Sequence, residues 1–166
     1  MSEYQNLVIE LLNNSHNRPG FSCGVESLDN YIKKQAKQDV KRRISQVFVA
    51  TQANKPADII GYYTLSSLAI EFNQLPENLL NKLPRVSIPA ALIGRLAVSQ
   101  KAQKCGVGKM LLVDAIKRTL AVSNEIAIYA ILVDAMSEEA EVFYKQFGFL
   151  KLNLNGRRMF LPLKTL

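Results

Sequence analysis

A short turn with two close glycines is the clearest place in this sequence where main-chain groups could bind an anion. It lies between an apolar run typical of a buried strand and a helical pattern of apolar residues. The backbone N–H groups at a helix N-terminus carry part of the helix dipole, and glycine lets a phosphate approach them closely. The turn therefore predicts a pyrophosphate site, although an ordinary tight turn would show the same pattern. Its residues are Gln103, Lys104, Cys105, Gly106, Val107 and Gly108.

Two common nucleotide-binding patterns do not fit this turn. A phosphate loop of the nucleoside-triphosphatase type needs a Lys followed by Ser or Thr, whereas Lys109 is followed by Met110. A dinucleotide fingerprint needs three glycines after the first strand of the chain, and this turn has two and lies late in the sequence. Coenzyme A is the phosphorylated cofactor that remains.

Tyr144, the second residue of an aromatic pair with Phe143, is a candidate general acid for acyl transfer to an amine. Such a transfer needs a neutral amine and a proton for the departing thiolate. A phenol, with a reference pKa of about 10, keeps its proton at neutral pH and is close in acidity to an alkyl thiol. Core packing on a helix explains the same pair equally well, so the residues alone leave both interpretations open.

No general base stands out in the sequence. His16 lies in a polar stretch and is predicted to be a surface residue, while Asp134 ends an apolar strand and is only a candidate. An α-amine with a pKa of about 8 is already partly neutral near pH 7, so water could accept its proton.

Positive charge is concentrated in one segment of this chain, whose net charge is +7. The four-residue spacing of Lys33, Lys37 and Lys41 predicts a basic helical stripe on which a phosphate backbone could lie. A solvated helix face would carry the same charges. The basic residues of the segment are Lys33, Lys34, Lys37, Lys41, Arg42 and Arg43, and Arg85 and Arg95 add charge elsewhere.

Length and composition predict a single cytoplasmic domain over residues 1–166. No apolar run reaches the roughly 18 residues of a membrane helix, and no export signal is recognisable at the start. Cys23 and Cys105 fit neither a disulfide framework nor a metal site, so we predict two free thiols and no metal.

The pattern of the remaining residues predicts an α/β (α+β) domain with a mixed sheet that positions the turn and the tyrosine. The apolar spacing indicates helices at 24–38, with Ser27 as a candidate N-cap, at 106–122, and from an N-cap at Ser137 to Gln146. The segment 75–89 is predicted to be a short helix and loop. Strands are predicted at 46–51, 59–66, 92–98, 126–133, 149–153 and 158–163, the last two flanking a turn at Asn155-Gly156.

Four motifs together resemble the GNAT superfamily of N-acetyltransferases: Arg95-Leu96-Ala97-Val98, Gln103-Lys104-Cys105-Gly106-Val107-Gly108, Ala140-Glu141-Val142-Phe143-Tyr144 and Gly148-Phe149. The resemblance implies a mixed, mostly antiparallel sheet with a splayed pair of central parallel strands and flanking helices.

This resemblance also implies how acetyl-CoA is held. The pantetheine arm would lie along Leu96, Ala97 and Val98, with backbone contacts from Leu96 and Val98, and the glycine turn would hold the pyrophosphate. Tyr144 would lie beside the coenzyme sulfur as the catalytic acid. Two positions depart from the family pattern: Lys104 replaces a frequent glycine, and Ser137 replaces an Asn that often contacts the cofactor.

Three further motifs, Phe21-Ser22-Cys23-Gly24, Leu28-Asp29-Asn30-Tyr31 and Gly61-Tyr62-Tyr63-Thr64-Leu65-Ser66, resemble the acetyltransferase toxins of bacterial toxin–antitoxin pairs. That resemblance implies acetylation of the α-amine of charged tRNA, a block of translation, and a ribbon-helix-helix antitoxin as partner. The tRNA would contact Lys33, Lys34, Lys37, Arg42, Arg43 and Arg95. An acetyltransferase for a protein N-terminus or small amine, and a non-catalytic basic RNA-binding module, remain as alternatives, and homodimer formation is left open.

Overall fold

The computed structural model describes residues 4–153 and 155–166, which form two compact units. The first unit comprises residues up to Ser66 and Arg95–Lys117, and the second comprises Ser67–Gly94 and Arg118–Leu166. That the whole chain acts as one domain stays a prediction. Within the described residues, no helix has the length and apolar character needed to cross a membrane.

In chain order, the strands are β1 (Leu7–Leu11), β2 (Gln46–Gln52), β3 (Gly61–Ile70), β4 (Ile88–Ile93), β5 (Leu96–Val98), β6 (Ala130–Asp134), β7 (Leu150–Lys151) and β8 (Arg158–Pro162). The α-helices are α1 (Glu26–Asn30), α2 (Ala36–Lys41), α3 (Glu77–Leu80), α4 (Val107–Val122) and α5 (Glu138–Lys145), and a π-helical turn, Tyr31–Gln35, joins α1 to α2.

The sheet of the first unit is antiparallel throughout. Strand β2 pairs with β1 and β3, and β5 pairs with β3 so that Tyr62 lies opposite Ala97. Strand β1 was not predicted, because only two of its five residues are even partly buried and its alternation is therefore weak. The predicted strand 59–66 begins at Gly61 and continues to Ile70.

The predicted helix 24–38 is confirmed in place, but it is three segments and not one regular helix. Its apolar stripe packs as expected, since Leu28, Tyr31, Ile32 and Ala36 are all buried in the core that covers β2 and β3. The N-cap is Val25, without a side-chain hydrogen bond, so the prediction of Ser27 as N-cap is wrong. The chain enters the helix from Gly24, whose φ of 91° only glycine adopts readily.

Helix α4 approaches β3 and β5 closely because residue 61 is a glycine. A Cβ atom at Gly61 would lie 2.8 Å from the carbonyl oxygen of Ala97 and 2.9 Å from Cδ1 of Leu111. Both distances are shorter than ordinary van der Waals contact, so any other residue would push the helix away from the strands. Gly61 thus fixes the height of the α4 N-terminus above β5.

The sheet of the second unit is mixed, as predicted. Strand β4 pairs in parallel with β6, with Ala90 opposite Ala130, and β8 pairs antiparallel with both β6 and β7. The predicted strand 92–98 is in fact two strands, β4 and β5, and β4 is the one that runs parallel to β6. Residues 126–129 do not form part of β6, and Ile126 is 68% exposed.

Helix α5 confirms the predicted start and stop signals. The Ser137 hydroxyl accepts a hydrogen bond from the Ala140 N–H at 3.1 Å, which makes Ser137 the N-cap. After the helix, Gly148 has a φ of 94°, the left-handed conformation common after helix C-termini. The β7–β8 hairpin is also confirmed, but Leu152 N–H donates to Arg158 C=O, so its loop is longer than the two-residue turn that Asn155-Gly156 indicates.

Candidate active site

Strand β5 presents backbone groups on the side that faces away from β3. Thr64 N–H donates to Arg95 C=O at 3.0 Å, and Ser99 N–H donates to Ile60 C=O at 2.8 Å. Hydrogen-bonded and non-hydrogen-bonded pairs alternate along an antiparallel ladder, so the backbone groups of Leu96 and Val98 point away from β3. These are the two positions predicted to offer backbone to pantetheine.

Ala97 lies differently from its two neighbours. It forms the hydrogen-bonded pair opposite Tyr62, and its side chain is buried in the core of the first unit. The geometry therefore supports the backbone of Leu96 and the N–H of Val98 as ligands, since the Val98 carbonyl oxygen accepts a hydrogen bond from Gln103. The cofactor contact of Ala97 stays a prediction.

The predicted cofactor turn is held in place by the side chain of Gln103. Its amide nitrogen donates to the carbonyl oxygens of Cys23 at 2.8 Å and Val98 at 3.0 Å. The carboxamide thus ties the turn to the end of β5 and to the segment before α1. This contact gives Gln103 a structural role, which the sequence pattern did not separate from cofactor binding.

Two residues of the turn adopt positive φ angles: Lys104 at 64° and Gly106 at 84°. The left-handed conformation explains why glycine is frequent at the position of Lys104, since a side chain there costs about 1 kcal/mol or more. Lys104 and Gly106 are both exposed, and a Cβ at Gly106 would meet no atom within 4 Å. The space beside the turn is therefore open, and the exposed side chain of Lys104 can extend into solvent beside an anion.

Helix α4 begins directly after Gly106 and supplies the positive end of a 16-residue helix dipole. The first N–H groups of a helix have no partner within the helix, so those of Val107 and Gly108 are suited to an anion. Cys105, between the two positive-φ residues, is half-buried, and its thiol contacts the Gln103 carbonyl oxygen at 3.4 Å. The turn as a whole fits a pyrophosphate held mainly by main-chain N–H groups.

Tyr144 lies on α5 in the second unit and is only 6% exposed. Its ring packs edge-on against Phe149 and Phe143, with centroids 5.6 Å and 5.2 Å away. Burial, reinforced by the negative charge of Asp134, raises the pKa of Tyr144 to about 12. The phenol is consequently a firmly protonated donor, less well matched to a thiol than its reference pKa suggests.

Asp134, the candidate base at the end of β6, is bound on both oxygens by Arg158. The guanidinium donates from Nε at 2.7 Å and from a terminal nitrogen at 3.0 Å. The hydrogen bonds to Asp134 raise the pKa of Arg158 further above its ordinary value. This bidentate pair occupies both carboxylate oxygens of Asp134 and gives the residue a structural role at the end of β6.

Ser137 and His16, two further residues considered in the sequence, have structural partners. Ser137 uses its oxygen to cap α5, so its cofactor contact stays a prediction. His16 is buried, accepts a hydrogen bond on Nδ1 from Asn13 N–H and places Nε2 at 3.2 Å from Glu10, so the prediction of a surface histidine is wrong. The polar stretch around His16 gave no indication that its ring accepts a hydrogen bond from the backbone of a turn.

Cys23 and Cys105 are free thiols, as predicted.

The predicted basic stripe is on the first unit, the same unit as the cofactor turn. Lys34, Lys37, Arg42 and Arg43 are exposed and Lys33 is half-buried. The stripe is not a straight row, because the π turn shifts the phase of the helix between Lys33 and Lys37.

Arg18 is a basic residue of this surface that the sequence pattern did not single out. It donates to the Lys33 carbonyl oxygen at 3.3 Å and lines a small pocket of about 50 Å³ together with Lys37. Nothing in the local sequence of Arg18 signals this position, because it depends on the path of the chain between β1 and α1.

Each unit carries features expected of an acyl-CoA-dependent N-acyltransferase. The first has a strand with outward backbone groups and a main-chain anion turn at a helix N-terminus, and the second has a mixed sheet and a protonated tyrosine. Residues 43–151 match the acetyltransferase (GNAT) domain model, and the chain belongs to the GNAT acetyltransferase family.

Two proteins similar to this chain are designated as toxins or probable toxins. The chain is 32% identical to a probable toxin, TacT, of Sinorhizobium fredii over 96% of this chain and 92% of that protein. It is 36% identical to a tRNA-acetylating toxin of Mycobacterium tuberculosis over 78% of this chain and 75% of that protein.

Solved structures of the toxins KacT and AtaT have folds similar to that of this chain. A tyrosine-to-phenylalanine mutant of KacT superimposes with a TM-score of 0.90 at 30% identity, over 97% of each chain. AtaT complexed with acetyl-methionyl-tRNAfMet gives a TM-score of 0.88 at 27% identity, over 96% of each chain. A tyrosine-to-phenylalanine mutant of AtaT bound to the C-terminus of the antitoxin AtaR and acetyl-CoA gives 0.81 at 26% identity, over 96% of this chain and 94% of the other.

Proposed function

We propose that this protein is a cytoplasmic toxin that uses acetyl-CoA to acetylate the α-amine of the amino acid on charged tRNA, and so blocks translation. One observation carries the proposal: a cluster of exposed cations on residues 26–43, here called the α1–α2 segment, belongs to the same compact unit as the cofactor turn. A polyanionic substrate fits such a surface, whereas a cationic amine would favour an acidic one.

Acetyl-CoA supplies an acetyl thioester. The residues of this chain bind the coenzyme and protonate the departing thiolate. The backbone groups of Leu96 and Val98 align the pantetheine arm, while the N–H groups of Val107 and Gly108 bind the pyrophosphate. A neutral α-amine attacks the thioester carbonyl carbon, the C–N bond forms and the C–S bond breaks. Tyr144 Oη gives its proton to the departing thiolate, and water accepts the proton released by the amine.

The tRNA backbone lies along the exposed side chains of Lys34, Lys37, Arg42 and Arg43, with Lys33 at the edge. These contacts are electrostatic and do not depend on sequence, so they account for affinity and not for the choice of tRNA. A partner antitoxin of the ribbon-helix-helix class would neutralise the toxin.

The decisive experiment supplies purified protein with acetyl-CoA and a set of candidate acceptors. Charged tRNA is expected to become N-acetylated on its amino acid, while the same free amino acid and a peptide with the same N-terminal residue react far more slowly. Preferential acetylation of the peptide or free amine would replace this proposal with the small-amine alternative. RNA binding without any acetyl transfer would favour the non-catalytic module.

A further inference from the structure

The side chain of Arg95 is held in one orientation by an aromatic ring. Arg95 lies directly before β5, and its guanidinium carbon is 3.6 Å from the centroid of the Tyr31 ring. Guanidinium groups stack in this way on aromatic faces, and the stack leaves the donors at the rim of the plane directed outward. The side chain is half-buried, so it has lost part of its freedom before any ligand arrives.

The ring beneath Arg95 is itself fixed by a buried hydrogen-bond network. Tyr31 Oη donates to Asp39 Oδ2 at 2.8 Å, and Gln35 Nε2 donates to Asp39 Oδ1 at 2.9 Å. Burial opposes ionisation of Asp39, but these two hydrogen bonds and the charges of Arg95 and Arg42 outweigh it and lower the pKa of Asp39. The carboxylate is thus an anchor that holds the tyrosine and draws two arginines toward it.

The π turn explains how Tyr31 and Asp39 come to face each other. In a regular α-helix, residues eight positions apart differ by about 80° around the axis, which would separate the two side chains. One π turn accommodates an extra residue and reduces this difference to about 20°. The irregular turn at 31–35 therefore builds the support for Arg95, and such turns are frequent at functional sites.

The donors of Arg95 lack an acceptor within the parts of the chain that the structure describes. Its interactions there are the stack on Tyr31 and the longer-range attraction to Asp39, with no carboxylate in salt-bridge contact. A planar, oriented guanidinium with open donors matches the geometry of a phosphate group.

We propose that Arg95, stacked on Tyr31, binds a phosphate of the acceptor end of charged tRNA and thereby distinguishes it from an amine that carries no phosphate. This inference rests on the proposed function. The coenzyme pyrophosphate is the less suitable ligand, because its turn follows the opposite end of β5, a strand that alone spans about 10 Å. Arg42, also drawn toward Asp39, extends the positive charge from Arg95 to the exposed cations of the α1–α2 segment.

The test uses the full chain with Arg95→Gln and Arg95→Lys. Arg85→Gln is the matched control, because Arg85 also lies over an aromatic ring, that of Phe72 at 5.7 Å, but in the second unit. Two substrates carry the same amine: charged tRNA, and aminoacyl-adenosine, which has no phosphate. Binding of acetyl-CoA is measured separately.

Arg95→Gln is expected to raise KM for charged tRNA by about tenfold or more, while kcat/KM for aminoacyl-adenosine changes less than about twofold. Arg95→Lys keeps the charge but loses the planar fork and should fall between wild type and Arg95→Gln. Arg85→Gln should match wild type on both substrates. Equal losses on the two substrates, or weaker binding of acetyl-CoA by Arg95→Gln, would overturn the inference.

A binding experiment separates failure of this inference from failure of the proposed function. If wild-type protein does not acetylate charged tRNA, the proposed function is wrong, and the role of Arg95 is decided by tRNA affinity over a series of salt concentrations. Loss of one phosphate contact should reduce the slope of log K against log salt by about 0.7 to 0.9 in Arg95→Gln. A slope equal to that of wild type would reject the phosphate contact.

Discussion

At the scale of single residues, the proposed chemistry depends on a tyrosine whose surroundings make it a reluctant acid. The aromatic neighbours and Asp134 raise the pKa of Tyr144 to about 12, so the phenol holds its proton throughout the physiological range. The reference pKa of a cysteine thiol, about 8.5, is well below this value. Proton transfer from Tyr144 to a fully formed thiolate is therefore uphill, which makes the phenol a weak acid for this step.

Replacement of Tyr144 by Phe should lower kcat by about 100-fold or more, because it removes only the proton donor. The Kd for acetyl-CoA should stay within about twofold of wild type, since the phenyl ring still packs on Phe149 and the anion turn is unaltered. Rapid-quench kinetics measures the effect on kcat, and calorimetry measures the Kd for acetyl-CoA. Phe143→Leu is the control for lost aromatic packing on the same helix, and wild-type turnover in Tyr144→Phe would remove this residue from the mechanism.

The ionised state of Asp39 contributes to stability in a defined pH range. Because its pKa is lowered in the folded protein, it stabilises the fold above the unfolded-state pKa of about 4, and this contribution is lost as the pH falls through the folded-state value. Wild-type protein should therefore lose more free energy of unfolding than Asp39→Asn between about pH 5 and pH 3. Denaturant melts over that range measure the difference, and parallel pH profiles of the two proteins would contradict it.

Among helices and strands, sequence patterns correctly predicted the features that depend on neighbouring residues. Three features were predictable because each carries its signal in neighbouring residues: the Ser137 cap, helix α4 and the β7–β8 hairpin. The split between β4 and β5 was not visible, because both halves are apolar and differ only in the strand with which each pairs.

The residues that support Arg95 were also not predictable from sequence patterns. Tyr31 counted as one apolar position of a helical stripe, and no sequence signal marked a π turn or the hydrogen bond to Asp39. The residue types of the cofactor turn were recognisable, but the constraint on Lys104 became clear only from its φ of 64°. Tertiary contacts, and not residue type, decide both cases.

The position of α4 over β5 should depend on Gly61. Gly61→Ala places a methyl group within 3 Å of the Ala97 carbonyl oxygen and of Leu111, and is expected to destabilise the protein by about 1 to 3 kcal/mol. Gly156→Ala is the matched control, because the three atoms nearest to its added methyl all belong to the side chain of Asn153 and none to the backbone. Chemical denaturation measures both variants, and acetyl-CoA affinity reports whether the anion turn has moved. Equal stability of the two variants would show that α4 does not need the close approach.

For the molecule as a whole, we expect the placement of positive charge to govern tRNA binding more than the total charge does. The net charge of +7 is shared by solubilising lysines and by the cluster on the α1–α2 segment, and sequence alone gave no way to separate them. The structure adds that the cluster and the cofactor turn belong to one unit, while Tyr144 belongs to the other. Substitutions in the proposed tRNA-binding cluster and at the proposed proton donor therefore fall in different units.

Reversal of two exposed lysines tests whether placement or total charge governs tRNA binding. Lys34→Glu/Lys37→Glu should weaken tRNA affinity by about tenfold at moderate salt and lower the salt dependence, because up to two phosphate contacts are lost. The matched control is Lys82→Glu/Lys164→Glu, which changes two exposed lysines of the second unit and alters the net charge by the same amount. If tRNA responds to the summed field alone, both double variants will lose affinity equally, which would contradict a binding surface on the α1–α2 segment. If placement governs, only the first variant will lose affinity, and both will bind acetyl-CoA as wild type does.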